Sequence, residues 1–229
     1  MTDSAAHIPV LLDPVLELGF PAGGTIFVDG TFGFGGHSLA LLDRYPQARV
    51  IGLDRDAEIA ARAKETLKEP RLTVFHARAS QMRGILEREG LSHADGILLD
   101  LGVSSFQLDT PRRGFSFQQS GPLDMRMDQS CGRSAADLIN SMKERDLADI
   151  FFQFGEERFS RRIAAAIVQV RETHRIETTG ELAKIVEGAI PSRFKKPFQI
   201  HPATRVFQAL RISVNEELNE LTQALDAAF

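Results

Sequence analysis

The chain has very few of the residues that usually mark disulfide or metal scaffolds. Its 229 residues include one cysteine, no tryptophan and one tyrosine. A single cysteine excludes a disulfide framework, and no Cys/His cluster has the spacing of zinc ligands, so we expect no structural metal. Cys131 lies in the polar segment D-Q-S-C-G-R-S. We therefore interpret it as incidental rather than as a nucleophile.

Long apolar runs and a net positive charge are also missing. No stretch of about 18 apolar residues could span a bilayer, and the N-terminal M-T-D-S-A-A-H lacks the basic and apolar regions of a signal peptide. We expect a soluble, cytoplasmic protein without a membrane partner. The net charge of -4 gives no global attraction for nucleic acid, so any RNA contact needs a local basic patch.

The segment from Thr25 to His37, T-I-F-V-D-G-T-F-G-F-G-G-H, predicts a strand, a glycine-rich turn and the start of a helix. A dinucleotide fingerprint would need a third glycine where Ser38 stands, and its acid about 20 residues later. Instead Asp29 precedes Gly33, giving the pattern (D/E)-x-x-x-G-x-G, which resembles the first motif of class I S-adenosylmethionine (SAM) methyltransferases. On this resemblance we count Asp29 and Gly33 among the cofactor-binding residues. An ordinary strand-to-helix turn and a nicotinamide-dependent oxidoreductase remain alternatives.

Two later strands of the predicted sheet also end in acids. R-V-I-G-L-D-R-D ends in Asp54 and Asp56, and D-G-I-L-L-D-L-G ends at Asp100. Because helices separate the strands, we expect a parallel sheet whose carboxyl ends meet at one ligand-binding edge. Asp54 follows the glycine turn at the distance typical of a ribose ligand, whereas Asp56 directly precedes a helix and is interpreted as its cap.

An irregular stretch from Val103 to Met127 interleaves arginines with aromatic residues. Such a combination suits an unpaired base and its phosphates, and we predict RNA contacts for Arg112, Arg113, Phe115 and Phe117. Alternatively, Phe115 and Phe117 anchor this loop to the core.

A helical insertion follows the loop. Leu147, Ile150, Phe151 and Phe154 have the spacing of one buried helix face, and Thr178 with Glu181 predicts a capping box. The insertion is locally basic, with Lys195 and Lys196 as its densest part, which supports an RNA contact; a solvated surface is an equally good explanation of this basic run. We predict three regions: a first half of the core at 1–105, the substrate loop and insertion at 106–200, and a helix returning to the core at 201–229.

Seven separated stretches together resemble one family. They are V-D-G-T-F-G-F-G-G-H-S, G-L-D-R-D, D-G-I-L-L-D-L-G-V-S-S, R-G-F-S-F, G-P-L-D-M-R-M, G-E-E-R-F-S-R-R-I-A and H-P-A-T-R-V-F-Q-A-L-R-I. They are similar to the bacterial ribosomal RNA small subunit methyltransferase H family. The resemblance implies an α/β, Rossmann-like class I methyltransferase fold with a helical insertion. It also implies SAM-dependent methylation of a cytosine N4 amino group in the decoding region of 16S rRNA, within the small ribosomal subunit.

The resemblance also assigns cofactor residues. It implies SAM contacts for Gly35, Gly36 and His37, a ribose contact for Asp54, and an adenine or neighbouring polar contact for Asp100. Gln107 would contact the ligand from the start of the long loop. Ala79 stands where the family commonly has an aromatic residue, which predicts a weaker stacking contact with adenine.

Two acids are candidates for accepting the hydrogens of the target amino group. Asp100 ends the fourth predicted strand, and Asp124 lies in P-L-D-M-R-M. Asp124 could equally pin its loop through Arg126, which we include among the RNA-binding residues. The family also continues beyond this chain with a glycine-led strand and an S-F-H-S-L-E-D-R segment. We therefore expect a C-terminally truncated member with an incomplete sheet, and a non-catalytic SAM or RNA binder is the alternative function.

Overall fold

The computed structural model describes residues 9–20, 23–191 and 200–229. The chain divides into two compact units, Met1–Gly102 with Leu218–Phe229, and Val103–Glu217. The predicted region 201–229 is shared between these units, because its first helix belongs to the second unit and the residues from Leu218 onward belong to the first. Within the described ranges, no helix is long and apolar enough to cross a membrane.

The first unit contains a parallel sheet of four strands in the order β3-β2-β1-β4. The strands are β1 (Ile26–Asp29), β2 (Arg49–Asp54), β3 (Leu72–His76) and β4 (Gly96–Leu98). Asp29 pairs with Gly52 and Leu98, and Asp54 pairs with His76, so the acidic ends of β1 and β2 share one edge. The predicted Rossmann-like sheet is confirmed. β4 ends two residues before Asp100, earlier than predicted.

Five helices of the described chain have residues in this unit. They are α1 (Leu12–Leu18), α2 (Gly36–Arg44), α3 (Ala57–Thr66), α4 (Met82–Arg88) and α11 (Glu217–Ala228). Successive strand residues point to opposite faces, so Phe27 and Val50 pack in one apolar cluster while Val28 and Ile51 pack in another. Asp56 caps α3, as predicted, by accepting the Glu58 N–H at 3.1 Å.

The second unit is helical in the part of the chain that the structure describes. Its helices are α5 (Ser105–Asp109), α6 (Ala135–Ser141), α7 (Glu144–Gln153), α8 (Ser160–Arg171), α9 (Thr179–Ala189) and α10 (Ala203–Val214). The predicted apolar face of α7 is buried, with Leu147 and Phe151 fully inaccessible. Thr178 caps α9, but the Glu181 carboxylate accepts the Glu177 N–H and pairs with His174 instead of completing the predicted box.

The predicted irregular loop begins with regular structure. α5 and a 3₁₀ turn over Pro111–Arg113 lie within it. Ser104 and Gln107 form a reciprocal capping box in which each side chain accepts the other residue's backbone N–H at 3.2 Å. A five-residue helix is too short to produce a periodic apolar pattern, so the cap was its main local signal.

Candidate active site

The glycine turn after β1 is shaped by backbone conformations that favour glycine. Gly33 and Gly35 have φ values of 57° and 79°, in the left-handed region that costs other residues energy. A Cβ added at Gly35 would lie 2.6 Å from the Phe32 ring, whereas one at Gly33 would meet no atom closer than 3.9 Å. The turn is therefore packed on one side and open beside Gly33.

Asp29 is buried and forms hydrogen bonds to residues on both sides of the turn. Its carboxylate accepts the Ser38 hydroxyl at 2.7 Å and the Thr31 N–H at 3.2 Å, and the residue is only 5% exposed. Burial raises the pKa of Asp29, although hydrogen bonds from Ser38 and Thr31 act in the opposite direction. These contacts fix the start of α2 against the end of β1. A direct contact between Asp29 and a cofactor stays a prediction.

Asp54, at the end of β2, contacts the glycine turn directly. One carboxylate oxygen accepts the Gly33 N–H at 2.8 Å, and the other accepts the Asp56 N–H at 2.8 Å. Burial raises the pKa of Asp54 to about 6, and the negative charges of Asp56 and Asp29 add to the increase. Each oxygen keeps a second lone pair that a hydroxyl donor could use.

Asp100 and His37 lie close together near the glycine turn. The Thr31 hydroxyl oxygen accepts the Asp100 N–H at 2.6 Å, and the Asp100 side chain is half exposed. His37 lies in the first turn of α2, with Nδ1 4.0 Å from the Asp100 carboxylate and Nε2 3.0 Å from the Val10 carbonyl oxygen. The Val10 carbonyl can only accept, so His37 Nε2 carries a proton.

The remaining predicted cofactor residues fall in different places. Gly36 begins α2, whose first turn has no side-chain cap. Ala79 begins a 3₁₀ turn after β3 and is 8% exposed; a Cβ added at Gly30 would lie 3.1 Å from the Ala79 Cβ. Gln107 belongs to the second unit, where it is 4% exposed and caps α5.

The structure therefore brings together one group of predicted residues in the first unit. This group consists of Asp29, Gly33, Gly35, Gly36, His37, Asp54, Ala79 and Asp100. Within the described residues, no group of three or more His, Cys, Asp or Glu side chains could hold a metal ion. What the edge does present is several acids beside the uncapped start of a helix.

The second unit contains the predicted substrate residues. Arg113 is 1% exposed, and its Nη2 donates to the carbonyls of Arg126 and Met127 at 3.1 and 2.9 Å. Phe115 is 7% exposed in the main core cluster of this unit, so it serves as an anchor of the loop. Arg112 is exposed and Phe117 is partly buried. Lys195 and Lys196 lie outside the described residues.

Asp124 is held tightly by its neighbours. Arg126 donates to both carboxylate oxygens, at 2.7 and 2.9 Å, and Gln129 donates at 3.0 Å. Although burial by itself raises the pKa of Asp124, the hydrogen bonds from Arg126 and Gln129 bring it below its usual value. The Asp124–Arg126 pair thus pins its loop, the second of the two roles that the sequence allows for Asp124.

Several positioning residues were not predicted from the sequence. Thr31 and Ser38 lie inside the glycine motif, where small hydroxyl residues next to Asp29 were the available signal. Glu220 of α11 accepts the Ser80 N–H at 2.9 Å and pairs with Arg78 at 3.6 Å, although 140 residues separate Glu220 from Ser80. No local pattern in the sequence could have indicated that contact.

Comparison with known proteins gives a consistent result. A model of the MraW methylase family matches residues 4–229. The relatives are proteins named Ribosomal RNA small subunit methyltransferase H. The one from Methylobacterium sp. is 52% identical to this chain, and the match covers 98% of this chain and 66% of the relative. The one from Paramagnetospirillum magneticum is 48% identical, and the match covers 97% of this chain and 69% of the relative. In Beijerinckia indica the identity is 52%, with coverage of 98% and 62%. The chain therefore spans about two thirds of the length of these relatives.

Proposed function

The chain belongs to the MraW methylase family, and from this premise we propose that it is a SAM-dependent methyltransferase acting on ribosomal RNA of the small subunit. The name of the relatives, Ribosomal RNA small subunit methyltransferase H, supports ribosomal RNA as the substrate class. The finer proposal, transfer to the N4 amino group of a cytosine in the decoding region of 16S rRNA, rests on the resemblance of the motifs. A ribosomal substrate implies a cytoplasmic site of action.

The arrangement of charge at the strand ends is the observation that carries the cofactor assignment. Asp29, Asp54 and Asp100 lie around the turn. The negative charge of Asp100 raises the pKa of Asp29, and the negative charge of Asp29 raises the pKa of Asp54. SAM carries a sulfonium and an ammonium group, which carboxylates attract, and no phosphate. The pyrophosphate of a dinucleotide would instead be repelled by the same acids. SAM therefore fits this edge better than a nicotinamide cofactor.

The chain's groups divide into two sets that match the two ends of SAM. The first turn of α2, which has no side-chain cap, suits the methionine carboxylate, because a helix N-terminus favours negative charge. Asp54 is placed to accept a ribose hydroxyl with its remaining lone pairs. The open space beside Gly33 leaves room for a ligand to approach the backbone. When bound, SAM supplies an electrophilic methyl group on its sulfonium.

Of the two acids proposed to accept the amino hydrogens, Asp100 is better suited. Its side chain is half exposed and its backbone N–H is anchored to Thr31, so the carboxylate is held in position yet accessible. Asp124 already accepts from Arg126 and Gln129, and its lowered pKa makes it a weaker proton acceptor. We therefore assign Asp100 the acceptor role and Asp124 the support of the substrate loop.

The RNA side of the proposal rests on the second unit. Arg112 and Phe117 remain at least partly accessible, whereas Arg113 and Phe115 support the loop from its buried side. A cytosine must leave its stack before its amino group can be methylated, and exposed arginines and rings are the side chains that hold unpaired bases.

Two assays test this function. Calorimetric titration should give saturable binding of S-adenosylhomocysteine and none of NAD. Incubation of unmethylated small subunits with methyl-labelled SAM and the protein should place the label in 16S rRNA. Binding without transfer would indicate the non-catalytic alternative, and saturable NAD binding without S-adenosylhomocysteine binding would contradict the cofactor assignment.

A further inference from the structure

Three aromatic rings in the second unit form a stack that runs from the core to the surface. Phe207 of α10 is 4% exposed, and Phe117 packs edge-on against it with ring centroids 4.8 Å apart. The His201 ring lies 4.6 Å from Phe117 at an interplanar angle of 36°. Phe117 is partly buried and His201 is exposed. His201 is therefore the outermost ring of a supported aromatic stack.

A hydrogen bond fixes the orientation of the His201 ring. The Ala203 N–H, at the start of α10, donates to His201 Nδ1 at 3.1 Å. Nδ1 therefore carries no proton, and the neutral ring has its proton on Nε2. An exposed ring that is held by both a stack and a hydrogen bond loses little conformational entropy when a ligand packs on it.

A cation lies one turn further along the chain. Arg205 is exposed, and its Nη1 donates to the Glu156 carbonyl oxygen at 3.0 Å. Among the residues that the structure describes, no carboxylate forms an ion pair with Arg205. The carbonyl bond orients the guanidinium and leaves its charge available for an anion.

A supported ring followed four residues later in the chain by an oriented arginine suits a nucleotide. Bases stack on aromatic side chains, histidine included, and arginine binds the adjoining phosphate. We propose that His201, supported by Phe117, is a stacking platform for an unpaired base of the RNA substrate, and that Arg205 binds a neighbouring phosphate. This proposal rests on the RNA substrate proposed above and adds two binding residues to it.

A purely structural role for His201 would be to cap α10, and paired variants separate the two roles. His201→Asn removes the ring but keeps an acceptor for the Ala203 N–H, because asparagine readily bonds an N–H two residues later. His201→Phe keeps a ring and removes the acceptor. Stacking thus predicts damage to RNA binding from the asparagine variant, whereas capping predicts damage to stability from the phenylalanine variant alone.

The test measures binding of an unmodified 16S rRNA transcript to the full chain in the presence of S-adenosylhomocysteine. We expect His201→Asn to weaken RNA affinity about 5- to 150-fold, the range for losing one stacked base. His201→Phe should bind RNA several-fold more tightly than His201→Asn. Phe152→Ala, which removes another exposed ring of the same unit (62% exposed), should change the affinity less than twofold. Thermal melts and S-adenosylhomocysteine titrations establish that each variant is folded.

Arg205 gives an independent readout. Arg205→Gln should weaken RNA binding and lower the slope of log affinity against log salt by about 0.7, the value for one phosphate contact with a single strand. Equal RNA affinities for the wild type and a folded His201→Asn variant would overturn the platform. An unchanged salt slope would overturn the Arg205 contact. If the wild type binds no RNA, the proposed function itself fails.

Discussion

Replacing Asp54 with asparagine separates the structural cost of this acid from its role in binding. The carboxylate accepts N–H groups from Gly33 and Asp56, each at 2.8 Å. Asparagine has one oxygen, so its amide NH₂ would face one of these N–H groups. The buried N–H left without an acceptor should cost about 1–3 kcal/mol.

The same substitution removes a buried charge. Raising the pKa of Asp54 from 3.8 to about 6 means that ionisation in the folded chain costs about 3 kcal/mol more than in the unfolded chain. Because this relief offsets the lost hydrogen bond, we expect Asp54→Asn to fold at neutral pH with a stability within about 2 kcal/mol of the wild type. Its affinity for S-adenosylhomocysteine should nevertheless fall about 10- to 150-fold, as one hydrogen bond to a charged group is lost.

The raised pKa of Asp54 makes the stability of the folded chain depend on pH. Between the unfolded pKa of 3.8 and the folded pKa of about 6, the folded state holds the Asp54 proton more tightly than the unfolded state does. The contribution of Asp54 to stability is therefore fully present below the unfolded pKa and is lost as the pH rises through about 6. A ligand whose hydroxyls donate to the ionised carboxylate should lower this pKa and release protons on binding near pH 6.

Urea denaturation at several pH values between 4.5 and 7.5 measures the contribution of Asp54 to stability. The difference in the free energy of unfolding between wild type and Asp54→Asn should change by about 2 kcal/mol over that range, with the wild type losing stability relative to the variant as the pH rises. Asp43→Asn, the same change at an exposed position, provides the control. A difference that is independent of pH would refute the buried-charge reasoning, and unaltered ligand affinity would refute the binding role.

Substitutions at three further positions test contacts within one or the other unit. Glu220→Ala should lower the free energy of unfolding by about 1–3 kcal/mol in urea denaturation, because the Ser80 N–H loses its acceptor, while Glu220→Gln should lose less. Asn215→Ala should lower the free energy of unfolding by about 2 kcal/mol in the same measurement, because the buried side-chain oxygen of Asn215 accepts the Met127 N–H at 2.8 Å. Gly35→Ala should cost at least about 1–2 kcal/mol from backbone strain and weaken S-adenosylhomocysteine binding; a melting temperature equal to that of the wild type would contradict the strained turn.

The sequence predicted best where a local pattern carries the structural information. The ends of β1 and β2 were found because apolar strands stop at Asp29 and Asp54. The cap of α3 was found because Asp56 directly precedes strong helix formers. In the second unit, the apolar face of α7 was visible from the spacing of Leu147 and Phe151. Each signal lies within a few residues of the feature that it predicts.

Side-chain roles that depend on distant partners were less predictable. Arg113 has the composition of an RNA-binding residue, yet its guanidinium is buried against backbone carbonyls of residues 13 and 14 positions later. Glu220 resembles any acid on a helix surface, and only the fold brings it to Ser80. Arginines and acids of these two kinds look alike in sequence, because burial is decided by packing between elements.

Identifying the methylated nucleoside tests the central claim most directly. The full chain would be incubated with unmethylated small ribosomal subunits and methyl-labelled SAM, and the purified 16S rRNA would be digested to nucleosides and separated by chromatography with mass detection. Label that elutes as N4-methylcytidine is the expected result, and it should come from the decoding-region fragment when the rRNA is first cut into defined fragments by oligonucleotide-directed RNase H cleavage. Label on another atom or another base, or the absence of label from 16S rRNA while the protein binds S-adenosylhomocysteine, would contradict it.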